Sequence, residues 1–163
     1  MIRLYLSVFS ALFILVVPKV SVGQYGNFTD LSEVTIQVGK LESVTKKLGL
    51  DETAIKNHAL VLLRSKLPRL LVKDSADSTV YIHVDVGEVR TGREAIGYYG
   101  FVSVGVSRVV TIIKTGKVTE ADLFYGTQRL RGPLSNTSDG VRGVLDSLLT
   151  SFAAAWDKDN PSE

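Results

Sequence analysis

In three blocks between residues 79 and 130 apolar side chains alternate with polar ones, and that spacing predicts extended chain in each. Val80, Ile82, Val84 and Val86 alternate with Tyr81, His83 and Asp85, which predicts a strand over 79–86 with two distinct faces. A long strand follows at 99–114. Thr115-Gly116 reads as a two-residue turn, returning the chain through a strand at roughly 117–130. That turn sets Lys114 opposite Lys117, and the register follows outward. Val102, Val104, Val106, Val110 and Ile112 then share a face with Ala121, Leu123 and Tyr125. The other face collects Phe101, Val109, Phe124 and Leu130, with Tyr81 and His83 from the neighbouring strand. Arg108 sits uneasily among the valines, and a bulge would exchange the faces.

Helical spacing flanks this block. Ile55, Ala59, Leu62, Leu63 and Leu67 form one stripe, opened by Asp51 as cap and closed by Pro68. Val141, Val144, Leu145, Leu148, Phe152 and Ala155 form another over 138–156, capped by Ser138 or Asn136. Before the first helix, Val34, Ile36 and Val38 alternate in a strand at 33–40. The order is β-α-β-β-β-α. A crossover through a helix makes the first two strands parallel, and the rest form an antiparallel meander. The expected fold is therefore α+β, a two-layer sandwich of a four-stranded mixed sheet with two helices on one face.

The amino terminus carries an address. Arg3 precedes an uncharged run from Leu4 to Val17, Pro18 breaks it, and Ser21-Val22-Gly23 supplies small residues for cleavage. That order is the pattern of a secretory signal peptide over 1–23. The apolar run is shorter than the roughly 20 residues that span a bilayer, so no stable membrane span is expected after cleavage. The domain plan is then a signal peptide at 1–23, a flexible lead-in at 24–32, a single α+β domain at 33–156 and a disordered tail at 157–163. Of 19 basic and 17 acidic residues, the leader removes Arg3 and Lys19 and no acid, leaving 17 of each. A neutral domain lacks the basic footprint of a nucleic-acid binder. With no cysteine there is neither a disulfide framework nor a site for bacterial lipidation. Two sequons, at Asn27 and Asn136, matter only in a host that glycosylates exported proteins.

The segments LGLDETAIKNHALVLLRSKLPRLLV, VYIHVDV, GFVSVGVSRVV and GVRGVLDSLLTSFAAAWDKDNP together resemble small exported bacterial proteins of this layout. The arrangement also resembles the lipopolysaccharide-assembly lipoprotein of the outer membrane and, more distantly, the amino-terminal domain of TolB. The resemblance implies an envelope location. It carries no catalytic motif, and the missing lipidation cysteine departs from the lipoprotein pattern.

The residues offer little catalysis. There is no G-x-S-x-G elbow and no phosphate loop. His58 falls beside the first helix's apolar stripe and reads as a packing residue. His83 and Asp85 share a strand face, the start of an acid–base pair and too few ligands for a metal. The expectation is a non-catalytic, cofactor-free protein of the periplasm or exterior that binds a protein partner or an amphiphile. Its candidate surface is Tyr81, His83, Phe101, Phe124 and Leu130 on the helix-free face. A second candidate is an anion site of Arg90 and Arg93, in an expected loop at 87–98, with Arg129, Arg131 and the start of the last helix. The alternatives are a secreted hydrolase-like enzyme using His83 and Asp85, and a homo-oligomer.

Overall fold

A computed structural model describes residues 21–162. One sheet of six strands runs in the order β1-β6-β5-β4-β2-β3. In chain order these are β1 (Ser21–Gln24), β2 (Glu33–Val38), β3 (Leu71–Val72), β4 (Ser78–Thr91), β5 (Glu94–Ile112) and β6 (Lys117–Gly132). Helices α1 (Ser43–Lys47) and α2 (Glu52–Lys66) lie between β2 and β3, and α3 (Thr137–Asp159) closes the chain. The mixed α+β architecture is as expected. The sheet has two more strands than the expected four, and there is a third helix. β1 and β3, of four and two residues, are too short to announce themselves by alternation. β2 is parallel to β3 and to β4, and the long strands β4, β5 and β6 pair antiparallel.

The core lies between one sheet face and the helices. Val80, Ile82, Val84 and Val86 are buried, as their alternation predicts, with Val102, Val104 and Val106 opposite them. Over this face α2 contributes Ile55, Ala59 and Leu63, and α3 contributes Val141, Val144, Leu145, Leu148 and Phe152. Each such large side chain contributes on the order of 1.5–3 kcal/mol gross. Asp51 caps α2 by accepting a hydrogen bond from the Ala54 amide at 2.8 Å. Asn136 precedes α3 and makes no side-chain cap bond. His58 is more than packing: its Nε2 lies 2.6 Å from Asp146 Oδ1, tying α2 to α3.

The sheet register differs from expectation at two places. The β5–β6 connection has four residues, 113–116, and the closing pair is Ile112 with Lys117. Ile112 O accepts from the amides of Thr115 and Gly116, and Gly116 has φ +65, a left-handed conformation suited to glycine. This moves the register by two residues and leaves the faces unchanged. The second departure reverses them. Val106 faces Phe124 while Ser107 faces Asp122, so Leu123 is an extra residue in β6. From there to Gly132 every β6 side chain is exchanged. Phe124 and Leu130, expected on the helix-free face, are 1% and 8% exposed in the core, and Tyr125 moves outward.

The cause of the bulge is tertiary. The Leu123 carbonyl accepts hydrogen bonds from the amides of Tyr25 and Gly26, at 2.9 and 3.2 Å, where the chain leaves β1. The segment 24–32, expected to be a flexible lead-in, places Phe28 and Leu31 in the core. Phe28 is fully buried and meets Phe152 edge-on at 5.5 Å. Of the expected tail, the residues to Asp159 continue α3, and contacts are made as far as Pro161. Asp159 Oδ2 accepts from Gln24 Nε2 and the Phe28 amide, and Arg69 donates to the carbonyls of Asn160 and Pro161. Trp156 Nε1 donates to Leu31 O at 2.9 Å. The leader expected at 1–23 lies outside the described residues as far as Val20, and its last three residues fall in β1.

At the other end of the core Tyr98 joins β5 to α3. Its hydroxyl lies so close to Gly140 that a Cβ there would stand 2.0 Å from it. Burial, with the nearby Asp139 carboxylate second, raises the Tyr98 phenol above its usual value of 10.0.

Candidate functional site

Helices α2 and α3 cover one sheet face, α1 stands at the border of the other, and strand pairing arranges the side chains of that other face in rows. Tyr81, Gly105 and Tyr125 form one row, followed by His83, Ser103 and Thr127. Next come Asp85, Phe101 and Arg129, and then Gly87, Tyr99 and Arg131. Tyr81 and Tyr125 are each 44% exposed and Tyr99 is 59% exposed. The His83 and Phe101 rings lie 5.6 Å apart at 45°.

The third and fourth rows open into a groove of ≈ 690 Å³. One wall is the start of α1, with Glu42 and Val44. Thr45 holds that wall in place, its buried hydroxyl donating to Val86 O at 3.1 Å. Asp85 to Glu88 and Arg90 of β4, Tyr99 to Phe101 of β5, and Arg129 of β6 complete the lining. Charges of both signs face the opening. Arg90 is committed, its Nε donating to Glu88 Oε2 at 2.7 Å. Among the described residues Arg129, Asp85 and Glu42 have no ion-pair partner. The groove therefore combines two ring faces with unneutralised groups of both signs, an arrangement suited to recognition by stacking and hydrogen bonding.

The structure brings together some of the residues singled out from the sequence. Tyr81, His83 and Phe101 share the bare face as expected. Phe124 and Leu130 belong to the core and leave the candidate surface. Of the four arginines, only Arg90 and Arg129 meet at the groove. The expected loop at 87–98 is a projecting hairpin arm whose strands continue to Thr91 and from Glu94. Arg93 sits in its turn, six residues from Tyr99, hence about 20 Å away along the strand. Arg131 lies one row beyond Arg129. The start of α3 stands over Tyr98, which points into the core, so it does not face the arginines. His83 and Asp85 do share a face, and no hydrogen bond links them among the described residues. No group of three or more His, Cys, Asp or Glu side chains able to hold a metal occurs among those residues.

Tyr99, Tyr125, Glu42 and Val44 were missed by sequence reasoning. Tyr99 was within reach, because it continues the alternation of Phe101. Tyr125 needed the bulge. Glu42 and Val44 stand at a helix of five residues, too short for a periodic signal.

No protein-family model matches the chain, and no curated protein matches it. Solved structures overlap it loosely. A dodecamer of a PelC variant from Paraburkholderia phytofirmans has a TM-score of 0.48 at 12% identity, covering 85% of this chain and 96% of that one. A minor lipoprotein from Acinetobacter baumannii has a TM-score of 0.32 at 13% identity, covering 80% and 94%. A protein from Caulobacter crescentus described as a lipoprotein has a TM-score of 0.37 at 12% identity, covering 82% and 96%.

Proposed function

We propose that this is an exported, non-catalytic binding protein of the cell envelope, and that a segment of a protein partner is its ligand. The reading rests on one observation: a sheet clothed by helices on one side and bare on the other, with the rows at Phe101 and Tyr99 opening into a groove. Antiparallel sheets commonly leave one face to water, and that face is then polar. Here it carries Tyr81, Tyr99, Phe101 and Tyr125 together. Rings of this kind, two of them beside unpaired Asp85 and Arg129, suit a polypeptide, which offers apolar side chains and charges of either sign. An amphiphile would need a deeper apolar cavity than this open groove provides. The export address is read from Arg3, the apolar run and Ser21-Val22-Gly23.

The test is site-specific photocrosslinking in the exporting host. A photoreactive phenylalanine analogue at position 101 or 125 is compared with one at Val61, exposed on α2. The expected result is a discrete adduct of protein mass from positions 101 and 125 and none from 61. An adduct of lipid mass would replace the partner reading with the amphiphile one. Equal labelling at all three positions, or none at any, would remove the surface as a binding site.

A further inference from the structure

The far end of the sheet bears a second exposed surface, independent of the groove. β5 and β6 run on past the helices, and every residue from 111 to 120 is exposed. At the turn Ile113 is 98% exposed, with Ile112 at 43% and Val118 at 62% beside it. Hairpin turns ordinarily carry Asn, Asp or Gly at such positions. Two isoleucines and a valine at a convex tip lose hydrophobic stabilisation in water and stay exposed among the described residues.

The charges around the tip have a definite order. Lys114 is in the turn and Lys117 pairs with Ile112, so two ammonium groups flank the apolar side chains. The nearest acids on β6 are Glu120, opposite Val109, and Asp122, opposite Ser107. They stand three and five residues behind Lys117, about 10 and 17 Å by strand rise. A convex apolar end with a cationic collar matches an anionic bilayer, which accepts apolar side chains below its headgroups and ammonium groups at its phosphates. A protein pocket would need to be concave around this tip and acidic at its rim.

We infer that the β5–β6 hairpin tip is a membrane-docking element that inserts Ile112, Ile113 and Val118 into an anionic phospholipid surface, with Lys114 and Lys117 at the headgroups. Phe101 lies 11 residues up β5, about 37 Å away. A docked tip therefore holds the groove clear of the bilayer.

Flotation with phospholipid vesicles tests this. Protein purified after export, its N-terminus checked by intact mass, is mixed with vesicles of phosphatidylcholine alone or with 30% phosphatidylglycerol. Binding is expected to the anionic vesicles and to fall as salt is raised. Ile113→Asp should weaken it at least tenfold, as expected for removing one buried isoleucine. Lys114→Glu with Lys117→Glu should weaken it more than the roughly fivefold per lysine lost by neutralisation, because the sign is reversed. Each variant is exposed and should keep the parent melting temperature. Absence of binding to either vesicle overturns the inference. So does binding that Ile113→Asp leaves unchanged, and so does an Ile113→Asp effect confined to self-association in the absence of lipid. None of these outcomes bears on crosslinking at position 101.

Discussion

Phe124 separates the two registers by a large energy. In the structure its ring is 1% exposed, opposite Val106 and 5.6 Å from the Phe152 ring. Truncation to alanine removes the ring and leaves a cavity between β6 and α3, a change that costs about 3–5 kcal/mol. The lost aromatic pair, about 0.5–1.5 kcal/mol, places this site in the upper half of that range. A domain of this size has on the order of 5–15 kcal/mol in total. Tyr125, one residue on, is 44% exposed on the bare face, so Tyr125→Ala should cost about 1 kcal/mol or less. Urea unfolding followed by Trp156 fluorescence measures both. At a slope of about 1.5 kcal/mol/M, Phe124→Ala should lower the midpoint by about 3 M and Tyr125→Ala by under 1 M. If Tyr125→Ala costs more than Phe124→Ala, the bulge at Leu123 is absent and the faces are as an unbroken hairpin would place them.

Four further substitutions probe three other joints of the fold. Glu52 accepts the Leu41 amide at 2.8 Å and pairs with Lys46, which hold its carboxyl below the ordinary 4.5, the Leu41 bond contributing most. A depressed carboxylate stabilises above its unfolded value and loses that contribution as pH falls through the lower folded value. The melting-temperature gap between wild type and Glu52→Gln should therefore be present at neutral pH and narrow as pH falls below 4.5; a gap that widens on acidification would contradict the assignment. Gly140→Ala places a methyl 2.0 Å from the Tyr98 hydroxyl and should cost about 1–3 kcal/mol. Tyr98→Phe in the same chain should recover part of that loss in thermal melts, and strict additivity of the two changes would argue against the contact. Trp156→Phe deletes the bond to Leu31 O, leaving a buried acceptor unpaired, and should cost about 1–3 kcal/mol in urea unfolding. A neutral result would mean that the N-terminal segment is not held there.

What was legible in the sequence is what depends on local period and on rigid local chemistry. Val80 to Val86 could be assigned a face because four apolar residues alternate without interruption, and they are all buried. Asp51 could be assigned as a cap because its carboxylate has one nearby backbone partner. The apolar stripe of α3 was readable for the same reason. What only the tertiary structure decided turns on contacts between residues far apart in the chain. The Leu123 bulge depends on Tyr25 and Gly26, nearly a hundred positions earlier, and nothing in β6 itself announces it. Because strand side chains have a period of two, that single extra residue exchanged Phe124 with Tyr125 and sent Leu130 into the core. The groove likewise needs the five-residue α1 beside the end of β4, held by one buried hydroxyl. Periodicity determined that each strand has two faces; long-range backbone hydrogen bonds decided which face of β6 lies inside and which outside residues meet.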